Sequence, residues 1–171
     1  MIVMGIDPGK TGAVCLLGEV ARPVFWDAPL LKTGKREVYD LERIRDWLRA
    51  RTLTGNSAHA FLEEPNPQPK FSASANYRLG QSSGIWEMAL VSFEIPYTKV
   101  QPQRWKRVMM EGMEKGKQAS IVRALMLYSG CGEQLRRVKD HGRADALLIA
   151  EYGIRQLGLR FTAREELVCS P

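Results

Sequence analysis

The segment Met4-Gly5-Ile6-Asp7-Pro8-Gly9-Lys10-Thr11-Gly12-Ala13-Val14 constrains the fold more than any other part of the chain. An apolar run (Ile2, Val3, Met4, Ile6) ends in a carboxylate, a Pro-Gly/Thr-Gly turn follows at once, and a second apolar run spans Ala13 to Leu17. The glycines let backbone or substrate approach the acid closely. An aspartate at the lip of a buried strand is costly unless a cation meets it, and a divalent metal is the usual partner. A phosphate loop is the rival reading of Gly9-Lys10-Thr11. That motif needs a glycine where Met4 stands and a helix after the lysine, where Gly12 and the β-rich Ala13-Val14-Cys15-Leu16-Leu17 follow.

Beyond this hairpin the chain reads as one α/β domain over residues 1–171, with 159–171 as a C-terminal tail. Strands are expected at Ile2 to Asp7, Ala13 to Leu17 and Pro23 to Asp27, an antiparallel meander. Leu30 to Arg36 reads as a polar, basic loop, and Tyr39 to Arg51 as an amphipathic helix with Asp40 near its start. Ala58 to Glu63 is a short strand stopped by the proline-rich segment Pro65 to Lys70. A helix from Ser72 or Ser74 to Phe93, a strand at Pro96 to Val100 and a short helix opened by Pro102 follow. Two more helices complete the order: Gln118 to Tyr128, stopped by Gly130, and Asp140 to Leu157, with Asp140 as N-cap. Thr162 and Glu165 form a candidate capping box in the tail. The expected architecture is a mixed β-sheet, part antiparallel meander and part parallel, with helices on both faces.

Three acids then share one logic. Asp7 and Glu63 each end a strand, and Asp145 interrupts an otherwise small and apolar helix. His141 stands four residues before Asp145 and so projects from the same helix face. Oxygen ligands with one nitrogen suit Mg²⁺ or Mn²⁺, and two such ions could clamp the attacking and leaving oxygens of a phosphodiester. Read singly, each residue has a plain alternative: a turn aspartate, a solvated strand end, an ion pair from Asp145 to Arg143, a cap at His141. Their joint occurrence in this element order favours a site.

The formal charge of +6 is concentrated. Between Lys99 and Arg143 there are eleven Lys/Arg against four Asp/Glu, whereas the rest of the chain is close to neutral. One basic stretch suits a polyanion such as nucleic acid. No apolar run reaches membrane-spanning length, and the N-terminus lacks a basic region followed by a long apolar stretch, so a cytoplasmic protein without a membrane partner is expected. The three cysteines, Cys15, Cys131 and Cys169, lack metal-ligand spacing and are expected to be reduced.

These residues resemble the RuvC-type Holliday-junction resolvases, members of the ribonuclease H-like nucleases. The resemblance runs from Met1 to about Gly153. It rests on Gly5-Ile6-Asp7-Pro8-Gly9, Phe61-Leu62-Glu63, Leu79-Gly80-Gln81 with Gly84, and Ala144-Asp145-Ala146-Leu147. Pro102-x-x-Trp105-Lys106 and His141-Gly142-Arg143-Ala144-Asp145 are similar to phage-encoded members. The resemblance implies a ribonuclease H-like sheet and a homodimer that binds a four-way DNA junction. It implies paired nicks by water attack, leaving 5′-phosphate and 3′-hydroxyl ends, with two Mg²⁺ per site (Mn²⁺ substituting) and no small-molecule cofactor.

Asp7, Glu63 and Asp145 carry over as metal ligands. The fourth family ligand falls on Gly142, leaving His141 or Asp140, with His141 preferred for its shared face with Asp145. Lys106 and Lys117 match two basic positions near the scissile phosphate, Lys117 as a catalytic group. Arg104, Arg107, Arg136, Arg137 and Lys139 are expected backbone contacts. Lys70 and Phe71 stand in the proline-rich loop, Phe71 as a wedge at the junction centre, while Tyr77 is expected to pack within its helix. Other classes kept open are a sugar-kinase or chaperone type ATPase, which needs two such domains, a non-enzymatic branched-DNA-binding protein, and an RNA- or hybrid-directed nuclease of the same fold.

Overall fold

The computed structural model describes residues 1–18, 22–34, 36–52, 57–114 and 116–159, with the side chains of Thr52 and Lys117 outside the description. The candidate capping box at Thr162 and Glu165, and Cys169, also lie outside the described residues.

Seven strands and five α-helices are described: β1 (Ile2–Ile6), β2 (Ala13–Leu17), β3 (Val24–Asp27), β4 (Leu30–Thr33), β5 (Arg36–Tyr39), α1 (Leu41–Thr52), β6 (Ala58–Glu63), α2 (Ala73–Ser92), β7 (Tyr97–Val100), α3 (Pro102–Met109), α4 (Lys117–Leu127) and α5 (His141–Gln156). Five strands form one sheet in the order β3-β2-β1-β6-β7. β1, β2 and β3 pair antiparallel as a meander, whereas β6 pairs parallel to β1 and β7 parallel to β6. The expected mixed sheet with helices on both faces is what the chain forms.

Alternation along β1 and β6 sorts the core into two layers. Val3 and Phe61 face a layer with Trp105, Met109, Ala124 and Leu147 from α3, α4 and α5. Met4, Ile6, Ala60 and Leu62 face the opposite layer, with Ile44 and Leu48 of α1 and Trp86 and Leu90 of α2. Helix α5 lies directly on β1: a Cβ at Gly5 would collide with the backbone of Ala146 and Ala150, so only glycine lets the helix approach this far.

Three local expectations are corrected. The segment expected as a loop from Leu30 to Arg36 is a two-stranded hairpin, β4 paired with β5 from Leu30↔Tyr39 to Thr33↔Arg36. Gly34, at φ 61°, supplies the left-handed turn residue. Helix α4 ends before Gly130: Tyr128 caps it, and Ser129–Cys131 continue as a short 3₁₀ turn. Asp140 occupies the N-cap position of α5 without capping it, because its carboxylate is taken by Arg137.

Candidate metal and nucleic-acid site

Asp7 and Glu63 are neighbours by strand register. Ile6 pairs with Leu62 across the parallel β1–β6 ladder, so Asp7 and Glu63 leave the same end of adjacent strands. Alternation from Gly5 and from Phe61 turns both toward the α3–α5 layer. Asp7 is held by its own turn, the Gly9 N–H donating to Oδ1 at 3.0 Å. A Cβ at Gly12 would press against the Asp7 carboxylate, so the second glycine of the turn is a clearance for the acid. Glu63 is held from α3: the buried Trp105 indole N–H donates to Oε1 at 2.9 Å.

Helix α5 brings the other two candidates. Asp145 lies one turn inside the helix, with Oδ1 buried and unpartnered, and His141, at the first position, has Nδ1 buried and unpartnered. Two buried polar atoms without hydrogen bonds, one oxygen and one nitrogen on one helix face, are what a ligand pair for a cation presents. The Asp140 carboxylate is engaged elsewhere. It accepts from the Arg137 backbone N–H at 2.8 Å and from the guanidinium at 2.7 Å, which holds its carboxyl below the usual range. Gly142 explains why no ligand stands there, since a Cβ would collide with the Thr11 carbonyl where α5 meets the Asp7 turn.

The carboxylates interact electrostatically. Burial, then the facing Glu63 charge, pushes the Asp7 carboxyl up to about 7, and the Asp145 charge adds to the shift. Burial likewise raises Glu63 and Asp145, opposed in Glu63 by the Trp105 bond and in Asp145 by a hydrogen bond to the buried Ser120 of α4. Lys106 lowers all three, so its charge faces all three acids, and its ammonium rests 5.1 Å from the Trp105 ring centroid. Among the described residues no three His, Cys, Asp or Glu side chains are already drawn to one point as ligands are. The donor set of three crowded carboxylates and an unpartnered imidazole nitrogen fits a hard divalent cation.

The polar surround is only partly as expected. Lys70, Phe71, Arg104, Arg107, Arg136 and Lys139 are exposed. The Lys70 ammonium lies 5.9 Å from the Phe71 ring centroid. The Phe71 loop is clasped by Asn76, whose amide bonds both the N–H and the C=O of Gln68 at 3.0 Å. A hollow of about 290 Å³ connects Glu63 and Lys106 with Lys70 and Phe71. Arg137 is exposed and paired to Asp140. Lys117 opens α4, and its side chain lies outside the described residues. Tyr77, expected to pack, is 70% exposed. Arg143 does not pair with Asp145; it forms a two-pronged bridge to Asp27 at 2.5 and 2.6 Å, tying the start of α5 to β3.

Sequence reading missed Ser120 as the neighbour of Asp145 and Trp105 as the holder of Glu63. A serine among Ala119, Ile121 and Ala124 on a half-buried helix was the available signal for the first. A tryptophan directly before Lys106 was the signal for the second.

The fold is the ribonuclease H-like fold of RuvC. Thermus thermophilus RuvC superposes with a TM-score of 0.59 at 23% identity, covering 92% of this chain and 97% of that one. The T. thermophilus RuvC structure in complex with Holliday junction substrate gives 0.61 at 20% identity, covering 92% and 96%. In sequence, the chloroplastic Holliday junction resolvase MOC1 of Chlamydomonas reinhardtii is 34% identical over 96 residues, 56% of this chain. The match spans 11% of that relative's length. No family model matches the chain.

Proposed function

We propose that this protein is a divalent-metal-dependent endonuclease for branched DNA, resolving four-way junctions by paired nicks. The observation that carries the reading is the meeting of Asp7 and Glu63, in register on adjacent parallel strands, with the unpartnered Asp145 Oδ1 and His141 Nδ1 on α5. Asp7, Glu63, Asp145 and His141 would hold Mg²⁺ or Mn²⁺, two ions per site, and the bound metal would supply an activated water and charge neutralisation at the phosphate.

The chain's own groups do the rest. The Gly9 N–H and the Trp105 indole hold Asp7 and Glu63 in orientation. Lys106 at the rim offsets the charge that develops on the phosphoryl oxygens. Water oxygen bonds to phosphorus as the bond to the 3′ oxygen breaks. The water proton leaves and the 3′ oxygen gains one, giving 5′-phosphate and 3′-hydroxyl ends. Arg104, Arg107, Arg136, Lys139 and Lys70, all exposed, would contact phosphates of the arms, and Phe71, 44% exposed beside the Glu63 hollow, would wedge into an opened junction.

A homodimer completes this reading, since two copies related by a two-fold axis fit paired nicks in a near-two-fold substrate. The exposed stripe of α2 supports it: Gly80 and Gly84 have open space above them, and Met88 and Val91 are 61% and 52% exposed. The buried free thiols of Cys15 and Cys131 support a reducing, cytoplasmic setting.

The deciding experiment incubates the protein with a synthetic four-way DNA junction and Mg²⁺ and maps both strands. Symmetric nicks are expected, and Asp7→Asn is expected to bind the junction without cutting. Equal cutting by Asp7→Asn overturns the site. Preference for structured RNA or RNA–DNA hybrids moves the chain to the RNA-directed class, and tight junction binding without cleavage under any divalent ion makes it a binding protein.

A further inference from the structure

The cations on the hairpin side of the molecule belong to none of the contacts described so far. A hollow of about 840 Å³ opens between the β4–β5 hairpin and the first half of α2. Its walls carry Lys10 from the Asp7 turn, Lys32 and Arg36 from the hairpin, and Arg78 and Tyr77 from α2. The lining contains one acid, Glu37, and among the described residues none of the four cations has a carboxylate partner. Four cations without a carboxylate partner among the described residues, around one exposed aromatic ring, have the composition of a nucleic-acid backbone groove rather than of a solvated face.

Two features tie this groove to the carboxylate site. First, the hairpin is anchored to the Asp7 turn: the Tyr39 hydroxyl donates to the Pro8 carbonyl at 2.5 Å, and the Lys10 ammonium donates to the Glu37 carbonyl. Second, the hollows adjoin one another through shared wall residues. The one beside Glu63 shares Phe71 with a second of about 230 Å³, and that one shares Lys10 and Arg78 with the hairpin groove. A track thus runs from Glu63 and Lys106, over Phe71, past Lys10 and Arg78, to Lys32 and Arg36.

We infer that this track carries the DNA strand leaving the scissile phosphate, and that Lys10, Lys32, Arg36 and Arg78 grip its phosphates while Tyr77 contacts a base or sugar. The inference rests on the proposed nuclease reading and adds to it the path of the bound strand. The hairpin, unremarkable in sequence, becomes a clamp on one arm whose position follows that of the Asp7 turn.

The test measures junction affinity from 50 to 200 mM salt in an Asp7→Asn background, where nothing is cut. Lys32→Ala/Arg36→Ala is expected to weaken binding about tenfold at the low-salt end. It should also make the log–log salt slope shallower by nearly 2, about 0.9 for each phosphate that is no longer neutralised. Arg45→Ala/Lys99→Ala removes the same formal charge from residues paired elsewhere on the surface, to Asp46 and Glu87, and is expected to leave the slope near the parent value. Hydroxyl-radical footprints should lose protection on one side of the cut site in the hairpin variant only. A hairpin variant with the parent slope and footprint overturns the inference. A parent that fails to bind branched DNA overturns the nuclease reading instead.

Discussion

The Trp105 indole N–H donates to Glu63 Oε1 at 2.9 Å, joining residues 42 apart in the chain. Trp105 is fully buried, so its position is set by core packing, and the hydrogen bond passes that rigidity to an acid at the end of the interior strand β6. The same bond lowers the Glu63 carboxyl against the burial that raises it.

Trp105→Phe keeps an aromatic ring in the core and removes the donor. Cleavage is expected to fall roughly tenfold, in line with losing a hydrogen bond to a charged group worth about 1.5–3 kcal/mol. The acidic limb of the pH–rate profile should move to higher pH, because Glu63 then loses the larger of the two interactions that lower it, the Lys106 charge remaining. Single-turnover rates across pH, beside urea melts, measure both. An unmoved limb would remove the positioning role.

Asp7 gives a pH-dependent stability with a definite sign. Its carboxyl sits at about 7 in the fold against an ordinary 3.8, so the folded state holds a proton that the unfolded state has lost. Stability from this group therefore falls as pH rises from about 4 to about 7 and is flat above, a penalty of at most about 4 kcal/mol. In EDTA, Asp7→Asn should be more stable than the parent at pH 8, with the gap closing toward pH 4. Mg²⁺ at pH 8 should raise the melting temperature of the parent and not that of Asp7→Asn.

His141 and Asp140 should separate cleanly. His141→Ala is expected to weaken Mn²⁺ binding by about one to two orders of magnitude while leaving the melting temperature of the metal-free protein nearly unchanged. Asp140→Asn should do the reverse, losing the Arg137 pair and stability while keeping metal affinity. Calorimetric titration with Mn²⁺, alongside thermal melts of both variants, reads the difference.

Two glycines on helices make opposite predictions. Gly142→Ala puts a Cβ against the Thr11 carbonyl and should cost about 3 kcal/mol or displace the Asp7 turn. Gly80→Ala meets nothing within 4 Å and should stabilise the isolated subunit by up to about 1 kcal/mol through helix propensity. Urea denaturation at low protein concentration tests both.

The sequence was legible where one-dimensional pattern and burial agree. β6 ends at Glu63, as expected, because an apolar run meets Pro65 and the proline-rich loop cannot continue a ladder. The hairpin was not legible, since seven of its eight strand residues, Leu30 among Lys32, Thr33, Arg36 and Glu37, are at least partly exposed and carry no alternation to read. The same holds within the site. Asp7, Glu63 and Asp145 stood out as acids in apolar surroundings. That Arg137 engages Asp140 and leaves His141 Nδ1 unpartnered is something no spacing reveals. Tyr77 looked like a packing residue by helical position, and its exposure follows from α2 turning Trp86 and Leu90, not Tyr77, toward the sheet.

The pairing of Ile6 with Leu62 has an evolutionary corollary. The gap between the first two acids is set by the hydrogen-bond ladder of a central parallel pair, at about 4.8 Å between strands, rather than by any loop. Insertions in the surface connections can then accumulate without retuning the chemistry, so homologues can diverge widely in substrate shape while this spacing stays unaltered.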